Sequence, residues 1–177
     1  SDNGKKWEYL GLSQSQHIGE IILHPTDNNI AWVAAIGSLY SANKERGVYK
    51  TMDAGKTWKH VLQIDDNTGV IEMDIHPKNP DELFACAWYR TRRAWNFEEA
   101  GKTSGIYKSI DGGNTWTFIS SIGSGLPTGN GIGRMGVAIA ASNPTVVYAV
   151  VDNQNNRPDT ATKKADTNYV LKDFKGI

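Results

Sequence analysis

Two groups of residues have the types and spacing that chemistry requires. The first is a pair of carboxylates, Glu72 and Asp74, set two positions apart in an apolar run, with Glu20 at the matching place in an earlier run. Residues two apart on an extended strand share a face, and cleavage of a glycosidic bond uses two carboxyl groups flanking the scissile oxygen. The competing reading is plain polar lining of a channel. A third related run has Gly136 and Ala138 where Glu72 and Asp74 stand, which favours the lining role.

The second group is the stretch 88–104, which carries Trp88, Tyr89, Arg90, Arg92, Arg93 and Trp95. Aromatic rings stack on sugar faces, and arginine forks bind carboxylates or phosphates through paired hydrogen bonds. Such a set can line a groove for a glycan or a peptide. On the structural reading Trp95 and Phe97 pin the loop to a neighbouring element and the arginines stay solvated.

Other candidates are weaker. His24 and His76 each precede a proline at equivalent places, which suits a turn, and His17 and His60 have no partner at metal-ligand spacing. No phosphate-binding loop, nucleophile elbow, zinc motif or dinucleotide fingerprint occurs. No cofactor and no metal site is therefore expected. Cys86 alternates with apolar residues and reads as core; as a lone cysteine it forms no intrachain disulfide.

The elements that must position these residues follow from an internal repeat. Gly47-Val48-Tyr49-Lys50-Thr51-Met52-Asp53-Ala54-Gly55-Lys56-Thr57-Trp58 is matched by Gly105-Ile106-Tyr107-Lys108-Ser109-Ile110-Asp111-Gly112-Gly113-Asn114-Thr115-Trp116, and a worn copy opens the chain with Asp2, Gly4 and Trp7. The three Asp residues stand 51 and 58 residues apart, close to the ~40–50 residues of one propeller blade. In each full copy the Asp carboxylate can accept hydrogen bonds from its own turn. Gly55 and Gly113 supply a left-handed backbone, Thr57 and Thr115 close the turn, and Trp58 and Trp116 anchor it by packing. Repetition of the Asp argues against catalysis, which needs one convergent site.

A second landmark also recurs. Apolar runs break at His24-Pro25, at His76-Pro77 and at Asn143-Pro144, and a further apolar run follows each: 31–36, 83–89 and 146–151. Each reads as a hairpin. Together the landmarks predict all-β, four-stranded antiparallel blades: an outer strand and connection over 1–17, blades over 18–64 and 69–122, the first hairpin of a third blade over 133–151, and a linker-like tail over 152–177. The second blade is longer than the first, and most of the excess falls in 88–104, where a scaffold tolerates added function.

Composition narrows the partners. The 19 basic and 19 acidic residues cancel, so no global field attracts nucleic acid. No run approaches the ~18 apolar residues that span a bilayer. Six Trp, seven Tyr and 18 Gly suit a strand-rich fold with tight turns. Propellers close with about 4–8 blades, so this arc is expected to be completed by further blades of a longer protein or by other chains.

The paired turns fit the pattern Ser/Thr-x-Asp-x-Gly-x-Thr-Trp, and with Gly133-Arg134-Met135-Gly136 and Ser142-Asn143-Pro144 the chain resembles Asp-box (BNR) propellers of the sialidase, xyloglucanase-like and sortilin-type group over residues 1–151. The resemblance implies a multi-bladed, often exported bacterial propeller, secreted, periplasmic or at the cell surface, that binds glycans, peptides or proteins. Arg134 lies in the family-like stretch and joins the ligand-binding candidates. The arginine triad and partner acids of sialidases are not matched as a set. Three functions therefore stay open: a noncatalytic binding segment, part of a polysaccharide-active hydrolase, and a purely structural segment.

Overall fold

The computed structural model describes residues 3–156; Asp2 of the worn copy and residues 157–177 of the tail lie outside that range. Twelve strands and no helix occur among the described residues. The first sheet runs in sequence order, β1 (Ile18–Leu23), β2 (Ala31–Ala35), β3 (Gly47–Thr51) and β4 (Lys59–Leu62), with every neighbour antiparallel. The second pairs β5 (Thr68–Ile75), β6 (Leu83–Tyr89), β9 (Gly105–Ser109) and β10 (Thr117–Phe118) in the same way. Between β6 and β9 the chain builds a separate hairpin, β7 (Thr91–Arg93) and β8 (Asn96–Glu98). A last hairpin joins β11 (Ile132–Ile139) to β12 (Val147–Asn153). The architecture is an incomplete arc of a β-propeller.

Alternation decides what each strand buries. On β6, Leu83 and Ala85 face the first sheet, where they join Trp32, Ala34, Val48, Leu62, Val70 and Met73. Phe84 and Cys86 face the other way and meet Ile132, Met135 and Val137 of the last hairpin. The second sheet is thus apolar on both faces, because it has a neighbour to cover on each side.

Equivalent positions show where the covering stops. Trp32, Phe84 and Tyr148 pair with Ile22, Asp74 and Ala138 respectively and so occupy one place in the repeat. They are 1%, 7% and 65% exposed, so the outer face of the last hairpin is open. At the opposite end of the arc Ile21 is 61% exposed, whereas its counterpart Met73 is 3% exposed against the first sheet.

Because successive strands are antiparallel, their connections alternate between two ends. The β1–β2 and β3–β4 turns share one end, as do their counterparts in the second sheet: Ala54 N donates to Asn29 O and Gly112 N to Asp81 O, both at 2.9 Å. The β2–β3 connection and the β7–β8 hairpin lie at the other, beside residues 63–67. There Asn43 N donates to Asp66 O at 2.9 Å and Arg90 N to Asn67 O at 3.0 Å. The repeated turns and the inserted hairpin are therefore on opposite ends of the sheets.

Candidate functional site

The repeated turns are closed hydrogen-bond systems. Asp53 Oδ1 accepts from Thr57 N (2.9 Å) and Thr51 Oγ1 (2.8 Å), and Oδ2 accepts from Thr57 Oγ1 (2.6 Å). Asp111 repeats the set with Thr115 N, Ser109 Oγ and Thr115 Oγ1 at 2.9, 2.8 and 2.6 Å and adds Asn114 N at 3.0 Å. Gly113 has φ +77°, and a Cβ there would lie 2.5 Å from Trp32 Nε1, which explains the glycine. Trp116 packs half-buried against the core between the sheets, and Trp58 Nε1 donates to Leu10 O at 2.7 Å. Neither aspartate has an oxygen left without a donor.

These bonds, led by those from Thr57 and Thr115, hold both aspartates down to about 2. A carboxyl depressed in the folded state adds stability above its unfolded value near 4 and loses it as pH falls towards 2. Thermal melts from pH 5 to pH 2 are expected to fall, and Asp53→Asn with Asp111→Asn to flatten that fall. An unchanged pH slope in the double variant would overturn the assignment. Glu20 works with the opposite sign: burial raises it, so its contribution is present at low pH and is lost as pH rises through its folded value.

The inner carboxylates are occupied as well. Glu20 Oε2 accepts from Met73 N at 2.6 Å, Glu72 Oε1 from Val137 N at 2.9 Å and Asp74 Oδ2 from Ile139 N at 2.6 Å. Each carboxylate joins one inner strand to the backbone of the next. Gly136, at the position of Glu72 in the last hairpin, gives that side chain room, since a Cβ there would sit 3.0 Å from Glu72 Oε1. The geometry gives these three acids a fastening role between strands, and nothing in it sets them out as an acid and a base across a cleft.

His24 and His76 serve their turns. His24 Nδ1 accepts from Asp27 N at 3.0 Å, and His76 Nδ1 accepts from Asn79 N at 2.9 Å. Among the described residues no group of three or more His, Cys, Asp or Glu is placed to hold a metal ion, and no helix is long and apolar enough to cross a membrane.

The stretch 88–104 departs from its structural reading. Trp95 is 81% exposed at the two-residue tip between β7 and β8, where Arg93 pairs with Asn96, and it pins nothing. Phe97 is exposed too, with the Arg92 guanidinium 5.3 Å from its ring centre. Trp88 is the residue that fastens the loop, through Nε1 to Glu99 O at 2.7 Å, and Arg90 stacks 5.1 Å from its ring centre.

Between the hairpin and residues 37–46 lies a polar cleft of about 380 Å³, lined chiefly by Tyr40, Arg46, Asn67, Tyr89, Arg92 and Arg93. Glu98 also faces it, held by Tyr89 Oη (3.3 Å), Thr91 Oγ1 (3.0 Å) and Asn96 Nδ2 (3.4 Å). Burial, followed by the charge of Glu98, raises the Tyr89 phenol, so it stays a donor at neutral pH. Arg46 is buried and braces the connection by donating to Ile36 O (2.6 Å), Ser38 O (2.7 Å) and Ser41 O (3.1 Å). A second hollow on the far side of Tyr89 and Glu98 is lined by Asp65, Lys102, Thr103 and Asn130.

The cleft unites Tyr89, Arg92 and Arg93 but not the other candidates. Trp88 and Arg90 pack behind the hairpin, and Arg134 lines a different hollow with Glu72, Tyr148 and Asp152. Tyr40, Arg46, Asn67 and Glu98 were not singled out by sequence reasoning. The available signal was the repeat, since 36–46 and 88–104 are the same connection in successive sheets and must share an end.

The fold and its repeated turns define a BNR-type β-propeller, here as an arc. The chain belongs to the Sortilin-Vps10 family ("Sortilin, neurotensin receptor 3"), whose model matches residues 1–174. A xyloglucanase from Paenibacillus sp. is 25% identical over 147 residues, covering 73% of this chain and 13% of that protein. Among solved structures, an ancestral GH74 enzyme superposes with a TM-score of 0.58 at 18% identity, over 90% of this chain and 21% of its own. The GH74 xyloglucanase from Xanthomonas campestris gives 0.46 at 15% identity, over 79% and 21%. This chain thus spans about an eighth to a fifth of the length of these proteins.

Proposed function

We propose that this chain is a glycan-binding segment of an exported propeller protein, with its contact in the cleft between residues 37–46 and the β7–β8 hairpin. The observation that carries the reading is the cleft's lining: Tyr40 is 66% exposed as a stacking surface, and Asn67, Tyr89, Asn96, Arg92 and Arg93 offer polar partners around it. Sugar recognition draws on that mixture of a ring face and fixed hydrogen-bonding groups. The xyloglucanase relative supports a glycan over a peptide. The open faces at Ile21 and Tyr148 support completion by further blades of the same protein or by other chains.

Calorimetry of the full chain against xyloglucan and pectic oligosaccharides tests this. Tyr40→Ala is expected to weaken binding about tenfold, the scale of one lost aromatic contact, with thermal stability unchanged. Trp95→Ala, at the hairpin tip, is expected to weaken long oligosaccharides more than short ones. Absence of binding, or binding indifferent to both changes, would remove the cleft as the contact. The hydrolytic reading draws on the same relatives and makes a different demand: reducing-sugar release that is lost on changing Glu72 or Asp74 in a protein that remains folded.

A further inference from the structure

The residues that line the cleft carry more positive than negative charge. Its titratable lining comprises Arg46, Arg92 and Arg93 against Glu98. Among the described residues the ion pair found is Lys108–Glu82, and none of these arginines is in one. Glu98 is already held by Tyr89, Thr91 and Asn96. Two of the arginines also keep buried nitrogens that the protein leaves open. Arg46, 1% exposed, keeps its Nε without a partner, and Arg90 behind the hairpin keeps Nε and Nη2 buried without one. Burial and then Arg90 lower Arg46, against the smaller opposing effect of Asp65 and Asp66, while burial and then Arg92 lower Arg90, so the three cations sense one another. A fixed, partly desolvated cation behind a polar wall projects its field into the space in front of it.

An arginine fork matches the two coplanar oxygens of a carboxylate. The exposed forks here are Arg92 and Arg93 on β7, neither in an ion pair, with Arg92 against the Phe97 ring, next to the exposed ring of Tyr40 and the donors of Asn67 and Asn96. We infer that the cleft receives a uronate residue of an acidic glycan, with Arg92 and Arg93 gripping its carboxylate and Tyr40 and the asparagines meeting the sugar ring. Arg46 and Arg90 act from behind, as fixed charge and as supports of the two connections. This rests on the cleft being the glycan contact and adds which glycan it takes.

The test compares trigalacturonate with its carboxyl-reduced counterpart, the same oligomer without charge, on the full chain by calorimetry. The acid is expected to bind about tenfold or more tightly at low ionic strength, with the gap closing as salt screens the exposed forks. Arg92→Gln with Arg93→Gln is expected to abolish the gap, weakening the acid about tenfold or more and the reduced oligomer far less; both side chains are exposed, so the melting temperature should hold. Equal binding of the two oligomers, or a gap that survives the double variant, overturns the uronate assignment. If the reduced oligomer still binds and responds to Tyr40→Ala, the glycan reading stands without it. Binding of neither oligomer, together with indifference of other glycans to Tyr40→Ala, overturns both. A sulfated galactotriose that equals the acid would overturn the preference for a carboxylate.

Discussion

Trp32→Ala is expected to lower the unfolding free energy by about 3–5 kcal/mol, the range for removing a fully buried large aromatic. Against the ~5–15 kcal/mol that holds typical domains together, that is a large share of the total. The size follows from position. Trp32 is 1% exposed in the core shared by the first and second sheets, and its Nε1 donates across that seam to Gly112 O at 3.1 Å. Lys50 lies 5.6 Å from the ring centre on the same side. Truncation leaves a cavity, an unpaired carbonyl and a cation without its ring. Trp32→Phe separates these effects, since it keeps most of the volume and loses the hydrogen bond, and about 1 kcal/mol is expected. Urea titration followed by tryptophan fluorescence and circular dichroism reads both. A loss below about 1 kcal/mol for Trp32→Ala would mean that the seam between the sheets is not a stability-determining contact.

The second large effect is expected at the inner strands. Removing Glu72 and Asp74 together, as Glu72→Ala and Asp74→Ala, strips the amides of Val137 and Ile139 of their acceptors. Each unsatisfied, partly buried amide costs about 1–3 kcal/mol, and both belong to one hairpin that the rest of the arc holds by one face. Hydrogen exchange at Val137 and Ile139 is therefore expected to accelerate by one to two orders of magnitude or more per amide, as about 1.4 kcal/mol is tenfold, while exchange in β2 and β3 stays slow. Glu72→Gln keeps an oxygen that can accept, and should lose much less. Glycan binding in the cleft is expected to persist, because Glu72 and Asp74 are at the inner strand and the cleft is between outer connections. The result that would return these acids to a catalytic role is unaltered exchange with loss of sugar release.

The repeated turns show how much local chemistry was readable. Asp53 and Asp111 find all their donors within four residues, from Thr51 to Thr57 and from Ser109 to Thr115, so pattern and geometry are the same information. The strands around them were legible for a similar reason, as alternation and turn residues act over a few positions. The inner carboxylates show the opposite. Glu20 meets an amide 53 residues away, and Glu72 and Asp74 meet amides 65 residues away. Two acids on one strand face look alike whether they flank a substrate or fasten a neighbouring sheet.

The stretch 88–104 falls between these cases. Its residue types marked it as a place for recognition, yet the hairpin, the outward Trp95 and the burial of Arg90 against Trp88 depend on what the second sheet offers beneath it. The half of the cleft formed by Tyr40 and Arg46 comes from the preceding repeat.

By itself the sequence determined a repeating all-β chain, its turns, the class of propeller to which it belongs and the insertion that marks one blade. These depend on contacts within a few residues and on a period that sequence displays directly. The tertiary structure alone decided that Glu20, Glu72 and Asp74 fasten strands, that Arg134 stands apart, and that arginines from two repeats face one cleft. Those outcomes depend on how one sheet is set against the next, and no local pattern encodes the register between two sheets.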